Sequence, residues 1–195
     1  MGVVFDEVLG ESAYADRTDA IVEELLQDGV AEHSDGAVIT RFEEPALKDH
    51  VLIIRKKDGA ANYATTDLVC LRYRTERWNP DRMVYVTDMR QQLHFQQVFA
   101  AAKRWKLRAE LQHTWFGMLS LPEGGMSTRK GNVIRLVDLL DEAVLRARKV
   151  VDEKSPQLSL EERAAIAEAV GVGSVRYADL SQHPQTNVTF DWDRM

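Results

Sequence analysis

The segments MVYVTDMRQQLHFQQVFAAAKRW (83–105), HTWFGML (113–119) and GGMSTRKGN (124–132) decide the fold. They predict a strand, a polar turn, a helix, a second strand and then a loop bracketed by glycines. A strand that leads through a helix to another strand is the unit of a parallel α/β sheet, and such sheets bind ligands where strands end and helices begin. The sequence therefore predicts half of a parallel sheet with a ligand site at one edge.

Composition limits the class of protein. The 195 residues suffice for one domain, alone or with a small appendage. No apolar run reaches the roughly 18 residues of a membrane-spanning helix, and the first residues lack the basic and apolar regions of a secretory signal. The single cysteine, Cys70, lies in an apolar run, so we expect it to be buried and the protein to work in the reducing cytoplasm.

The net charge argues against a general nucleic-acid-binding protein. It is −6 at pH 7, so any RNA contact would depend on local basic patches. Two clusters that include aromatic neighbours are candidates for phosphate contacts, with solvated helix faces as the simpler interpretation. They are Arg72, Arg74 and Arg77, and Lys103, Arg104, Lys106 and Arg108.

Upstream of the central segments the sequence predicts a helix and a small insertion. VVFD (3–6) is β-prone, and residues 12–29 favour a helix that Gly29 ends. A strand-rich insertion is expected at about 30–60. Residues 63–77 are predicted to be helical.

Downstream the sequence predicts two helices. Apolar residues recur every three or four positions from Leu139 to Val151, which is typical of an amphipathic helix. Ser159 and Glu162 form a capping-box pattern that starts a second helix, expected to reach about Gln182. Residues 183–195 are expected to be extended or loop.

Tyr63 and Asp67 are four residues apart, which places both side chains on one side of a helix start. A carboxylate beside a phenol hydroxyl can hold a cation, in particular a guanidinium, which presents a planar fork of donors. The alternative is an aspartate that complements the helix macrodipole beside a half-buried tyrosine.

Polar side chains also follow the first central strand. Asp88, Gln91 and His94 lie at its end and at the start of the next helix, where α/β sheets hold ligands. Gln91 can receive an ammonium or carboxylate group. His94 can face either the pocket or the core, and a structural histidine is the competing interpretation.

The second strand and the loop after it offer backbone and cationic groups. Gly117 lets another group approach the main chain, as adenine would, unless it is a bulge in a buried strand. The hydroxyls, cations and backbone N–H groups of the loop can hold a triphosphate, with a basic surface turn as the alternative. Its polar side chains are Ser127, Thr128, Arg129 and Lys130. No cluster of His and Cys has the spacing of a metal site.

Taken in order, these segments resemble the arginyl-tRNA synthetases, which are class I aminoacyl-tRNA synthetases with a Rossmann-like catalytic domain. The matching segments are YATTD (63–67), VYVTDMRQQLHFQQVF (84–99), HTWFGM (113–118), GGMSTRKGN (124–132), VDLLDEA (137–143), and VGSVRYADLSQ with TNVTFDWDRM within 172–195. The resemblance implies an α/β fold, namely the C-terminal half of the parallel sheet of that catalytic domain with a small insertion. Residues 1–135 would be this catalytic half, and residues 136–195 a helical connector leading towards an anticodon-binding domain.

The resemblance also implies roles for individual positions. Three match the arginine-binding residues of the family, with the aspartate pairing with the substrate guanidinium: Tyr63, Asp67 and Gln91. Three match the region that packs against and hydrogen-bonds adenosine: His113, Gly117 and Met118. Four fall on the family's variant of the KMSKS loop, which stabilises the triphosphate: Met126, Ser127, Thr128 and Arg129. The first lysine of that loop is replaced by Gly125, and Arg129 or Lys130 can substitute for it.

The implied activity is ATP-dependent ligation of arginine to tRNA(Arg) through arginyl-adenylate, with Mg²⁺ on the ATP and no metal site on the protein. We expect a cytoplasmic enzyme whose parent form is monomeric. The HIGH motif of the family and its anticodon-binding domain are not found in the 195 residues, so we expect a truncated piece that is inactive alone and whose parent meets tRNA mainly through other segments. The alternative is a non-catalytic paralogue that binds arginine, nucleotide or a protein partner.

Overall fold

The computed structural model describes residues 2–120, 135–189 and 192, and for residues 119 and 120 the backbone alone. The chain divides into two compact units, Val4–Trp115 and Met1–Val3 with Phe116–Met195. The division by compactness therefore falls after Trp115. The predicted division into a catalytic half (1–135) and a connector (136–195) concerns roles and stays a prediction.

The first unit begins with helices and a three-stranded antiparallel sheet in the order β1–β2–β3. Its elements are a 3-10 helix at Glu11–Arg17, α1 at Thr18–Gln27, β1 at Glu32–Ser34, β2 at Ala37–Arg41 and β3 at Val51–Arg55. Gly29 follows α1 with a φ of 66°, the left-handed conformation that favours glycine at a helix end. The predicted helix and strand-rich insertion are both present.

The β-prone segment VVFD (3–6) is not a strand. Val3, Val4 and Phe5 are exposed, and in the described part of the chain no strand pairs with them. β-propensity alone does not form a strand, because an isolated extended segment has neither ladder partners nor a face to bury.

A strand–helix–strand unit completes the first unit. Its elements are α2 at Tyr63–Trp78, β4 at Arg82–Asp88, a 3-10 turn at Met89–Gln91, α3 at Gln92–Arg104 and β5 at Glu110–Phe116. The strands β4 and β5 are paired. Arg82 and Glu110, the first residues of the two strands, contact each other, and Thr87 contacts His113 farther along both strands. The two strands therefore run in the same direction. This is the parallel α/β arrangement that the central segments predict.

The core of the first unit fixes α2 in place. Leu25, Ile54, Leu68 and Leu71 are fully buried side chains shared among α1, β3 and α2. Burial of each such side chain contributes about 1.5–3 kcal/mol. The hydroxyl of Thr65 donates to the carbonyl of Ile54, which holds the first turn of α2 against β3. The first two turns of α2 carry two of the predicted arginine-binding positions, Tyr63 and Asp67.

The second unit contains two long helices and a short pair of parallel strands. The elements are β6 at Leu119–Ser120, α4 at Leu136–Lys154, α5 at Leu160–Leu180 and β7 at Val188–Thr189, with β6 paired to β7. Ser159 and Glu162 form the predicted capping box at the start of α5. A Cβ atom on Gly171 would lie 2.6 Å from the Cα of Val144, so α5 crosses α4 at a distance that only glycine permits.

Candidate functional site

The first turns of α2 and α3 bring three predicted or candidate side chains together. The Nε2 atom of His94 lies 2.6 Å from Oδ2 of Asp67. The ring of Tyr63 lies over the His94 imidazole, with 4.7 Å between the ring centroids. Tyr63 and Asp67 occupy one side of α2, as their spacing of four residues predicts, and His94 faces them from α3.

This cluster is open to solvent on one side. Tyr63 is 58% exposed, the side chain of Asp67 is 28% exposed, and His94 is buried. Among the described residues, no hydrogen bond reaches Oδ1 of Asp67. One oxygen of the carboxylate is thus held by His94, while the other accepts no hydrogen bond from the described residues.

Gln91, the third predicted arginine-binding position, is exposed on the turn before α3. In the part of the chain that the structure describes, His94 and not Gln91 contacts Asp67. From the sequence, His94 can face either the pocket or the core. The structure gives it both features, because the ring is buried but its Nε2 atom contacts the candidate ligand-binding carboxylate.

Asp88 is hydrogen-bonded to the helical turn that follows it. Its Oδ1 atom accepts the backbone N–H of Arg90, and the Arg90 guanidinium donates to both carboxylate oxygens at 2.9 and 2.8 Å. These hydrogen bonds lower the pKa of Asp88 to about 2. Both oxygens are therefore already used within the chain.

A second pair of polar side chains links the two parallel strands. A hydrogen bond of 2.8 Å joins Thr87 Oγ1 and His113 Nε2, and the Phe95 ring packs on His113 with 4.8 Å between centroids. Burial, with a smaller contribution from His94, lowers the pKa of His113. His113 is a predicted adenosine-binding position. Thr87 is not among the predicted positions, although its place at a strand end next to Asp88 is a signal that could have pointed to it.

The backbone around Gly117 and Met118 is already engaged. The N–H of Gly117 donates to Pro184 O, and the N–H of Met118 donates to Oδ1 of Asn187. A Cβ atom on Gly117 would lie 2.1 Å from the carbonyl oxygen of Thr186. The sequence predicts a close approach to this glycine, and the group that makes it is the chain's own segment 184–187.

The predicted triphosphate loop lies outside the described residues. This applies to Met126, Ser127, Thr128, Arg129 and Lys130, and to Gly125 before them. Their assignment stays a prediction. Within the described ranges, no three His, Cys, Asp or Glu side chains are grouped as metal ligands, and no helix is long and apolar enough to span a membrane.

Two arginines of the basic clusters, Arg72 and Arg74, pack on aromatic rings of the first unit. The Arg72 guanidinium pairs with Glu24 and stacks on the Trp105 ring at 4.0 Å. Arg74 lies over the ring of Tyr85. The simpler interpretation, a solvated helix face, is therefore wrong for Arg72, because its guanidinium is turned into the fold. Cys70 is buried as expected, and burial raises the pKa of its thiol.

Comparisons with known proteins agree on one family. The family described as "tRNA synthetases class I (R), catalytic domain" matches residues 1–192. Over the whole chain, the sequence is 46% identical to the arginine–tRNA ligase of Chloroflexus aurantiacus and 46% identical to that of Fusobacterium nucleatum, and the match covers 34% of each. The crystal structure of arginyl-tRNA synthetase from Plasmodium falciparum superposes with a TM-score of 0.79 at 25% identity, covering 96% of this chain and 31% of that one. The chain thus spans about a third of the length of these relatives.

Proposed function

The chain belongs to the catalytic-domain family of the class I arginyl-tRNA synthetases, and from this we propose that it supplies the arginine pocket and part of the ATP site of an arginine–tRNA ligase. The observation that carries the proposal is the partly exposed carboxylate of Asp67, which has one oxygen held by His94 and the other without a hydrogen bond from the described residues. A planar guanidinium is the natural partner of such a carboxylate, since its fork of N–H donors matches two oxygens.

Tyr63 and Gln91 complete the proposed pocket. The exposed ring of Tyr63 offers a face and a hydroxyl beside Asp67, and a guanidinium packs well on an aromatic face. Gln91, exposed at the start of α3, carries an amide that can bind the amino or carboxylate group of arginine. Both assignments come from the family positions that these residues match.

The proposed adenosine contacts differ in what each residue still offers. His113 has an imidazole held by Thr87 and packed on Phe95, so its ring is a fixed surface for a base. The N–H groups of Gly117 and Met118 are already bonded within the chain. Their contribution to adenosine binding would therefore be packing or carbonyl acceptance, and not donation from the main chain.

The reaction we propose needs no protein nucleophile. The carboxylate of arginine attacks the α-phosphate of ATP, which gives arginyl-adenylate and pyrophosphate, and the terminal ribose hydroxyl of tRNA(Arg) then attacks the adenylate carbonyl. The protein contributes positioning and stabilisation of charge. Mg²⁺ would travel with the ATP phosphates, and the hydroxyls and cations that would hold them are Ser127, Thr128, Arg129 and Lys130, with Met126 beside the adenosine.

The remaining parts of the proposal concern the whole protein. We expect tRNA(Arg) to be bound mainly by segments outside these residues, since the net charge of −6 gives this part no general attraction for RNA. A cytoplasmic, monomeric parent enzyme is part of the same proposal.

Direct binding tests the pocket. Isothermal titration of arginine and of citrulline, its uncharged isostere, into the 195-residue chain should give binding of arginine and a much weaker signal for citrulline. Equal binding of the two amino acids would contradict recognition of a guanidinium by Asp67. Binding of neither would remove the arginine pocket from the proposal.

A further inference from the structure

We propose that His94 is a positioning residue for arginine recognition, which holds Asp67 with its Nε2–H and leaves the rest of that carboxylate to the substrate guanidinium. The proposal rests on the proposed function, because it gives His94 a part in the same pocket. It adds a residue to the three positions that the family resemblance assigns.

The geometry fixes where the hydrogen lies. The distance of 2.6 Å between Nε2 of His94 and Oδ2 of Asp67 is that of a short hydrogen bond to a charged group. An ionised carboxylate can only accept, so Nε2 must carry the hydrogen. The hydrogen bond joins residues on two different helices and so fixes the carboxylate relative to α3 as well as α2.

The other nitrogen of the ring also favours a hydrogen on Nε2. The Nδ1 atom of His94 is buried and has no hydrogen-bond partner among the described residues. As a lone pair, it costs less to bury than the unpaired N–H of an imidazolium would. The tautomer with its hydrogen on Nε2 therefore fits this environment.

Aromatic rings hold the imidazole in this orientation. The Tyr63 ring lies 4.7 Å from the His94 ring, and the Phe95 ring lies 5.1 Å from it, measured between centroids. A side chain locked by packing can orient its neighbour at little further entropic cost. The ring is thus a rigid support for the carboxylate.

The arrangement leaves room for a forked donor. Each carboxylate oxygen has two lone-pair directions, so Oδ2 can accept from His94 and from a guanidinium at the same time. Oδ1 has both directions available in the described structure. His94 would therefore select the carboxylate orientation in which the remaining direction on Oδ2 and one direction on Oδ1 face the same donor.

The test compares substitutions that keep or remove the donor. His94→Gln places an uncharged N–H near the position of Nε2, whereas His94→Leu fills similar space without a donor. The matched control is Gln97→Leu, which alters another buried polar residue of α3. Arginine affinity of the 195-residue chain is measured by titration, together with the thermal unfolding midpoint of each variant.

We expect His94→Leu to weaken arginine binding about tenfold or more, the effect of losing one hydrogen bond to a charged group. His94→Gln should restore most of the affinity, and Gln97→Leu should leave it within about twofold of wild type. The inference is overturned if His94→Leu binds arginine like wild type, if His94→Gln binds as weakly as His94→Leu, or if Gln97→Leu weakens binding as much.

A spectroscopic measurement separates this inference from the proposed function. With ¹⁵N-labelled histidine, His94 should show one protonated and one unprotonated ring nitrogen, with the hydrogen on Nε2, and Asp67→Ala should abolish this pattern. A hydrogen on Nδ1 overturns the inference even if arginine binds. If the pattern is present but wild type does not bind arginine, the proposed arginine pocket fails, and the role of His94 in recognition fails with it.

Discussion

At the scale of single residues, the candidate site depends on how one carboxylate is held. Asp67 lies on the exposed side of the first turns of α2, and its only contacts at the carboxylate in the described residues come from His94. Asp88, by contrast, is occupied by Arg90 on both oxygens. Of these two acidic side chains, Asp67 is therefore the one whose charge is not already paired with an arginine among the described residues.

Replacing the charge of Asp67 should remove most of the arginine affinity. Asp67→Asn keeps the size of the side chain but leaves the guanidinium without a charged partner, so we expect a loss of about 2–5 kcal/mol in a complete ligase. Titration calorimetry measures the affinity, and the unfolding midpoint serves as the control for folding. An arginine affinity equal to that of wild type would show that the pocket lies elsewhere.

The environment of His113 should make stability depend on pH. Burial lowers its pKa from the ordinary 6.5. There is therefore a pH range in which His113 is protonated in the unfolded chain and neutral in the folded chain. The stabilisation by the neutral, buried imidazole is fully present above about pH 6.5, and it is lost as the pH falls through the pKa of the folded state.

We therefore expect the free energy of unfolding to fall between pH 7.5 and 5.5, and to fall less in His113→Gln. Urea denaturation at the two pH values measures the decrease. His50→Gln, which changes an exposed histidine, should keep the decrease of wild type. An equal decrease in wild type and His113→Gln would contradict the assignment.

At the scale of elements, short segments with strong local signals form as predicted. The capping box fixes the start of α5, and the apolar repeat forms α4. The two helices then meet at Gly171, where the backbone of α4 occupies the space of a side chain. Helix packing in the second unit is thus limited by one residue that has no side chain.

A methyl group at position 171 should destabilise the α4–α5 pair. Gly171→Ala places a Cβ 2.6 Å from Val144 Cα, so we expect a loss of about 1–3 kcal/mol from overpacking, even though alanine favours helix more than glycine does. Gly173→Ala is the matched control in the same helix, because nothing lies within 4 Å of its Cβ position. That variant should gain up to about 1 kcal/mol. Similar urea midpoints for the two variants would refute the tight crossing.

The sequence predicted elements better than it predicted contacts, for a physical reason. Periodicity and caps are local, so α4, α5 and the β4–α3–β5 unit could be read from their own residues. The bond between Asp67 and His94 joins residues 27 apart, and the bond between Met118 and Asn187 joins residues 69 apart. Such pairs depend on how the elements pack, and spacing along the chain does not specify them. VVFD failed for the same reason, because a strand needs a partner that its own residues do not supply.

At the scale of the whole molecule, the predicted site residues belong to two compact units. Tyr63, Asp67, Gln91, His94 and His113 belong to Val4–Trp115, whereas Gly117 and Met118 belong to the second unit. The match covers 34% of the relatives, which leaves about two-thirds of their length outside this comparison. Arginine binding can therefore be tested on the chain, but ligation is a property to test in a longer protein.

A chimaera tests whether the chain performs its proposed part of the reaction. The 195 residues would replace the matching third of the Chloroflexus aurantiacus ligase, with which they share 46% identity. We expect arginine-dependent pyrophosphate exchange from the chimaera and none from the 195 residues alone. Asp67→Ala in the chimaera is the control that should abolish exchange. Exchange by the isolated chain would contradict the expectation that these residues are inactive alone. A folded but inactive chimaera would contradict the proposal that they supply the arginine pocket.

The close contact at Gly117 joins two parts of the chain that are distant in sequence, the residues before β6 and the segment 184–188. Gly117 and Met118 bind Pro184, Asn187 and Val188, just before the chain continues from β6 towards residue 121. Three hydrogen bonds thus join Gly117 and Met118 to the segment that carries β7. A methyl group at position 117 would overlap the carbonyl of Thr186, so even alanine there would separate the residues around β7 from the strand that precedes the predicted triphosphate loop.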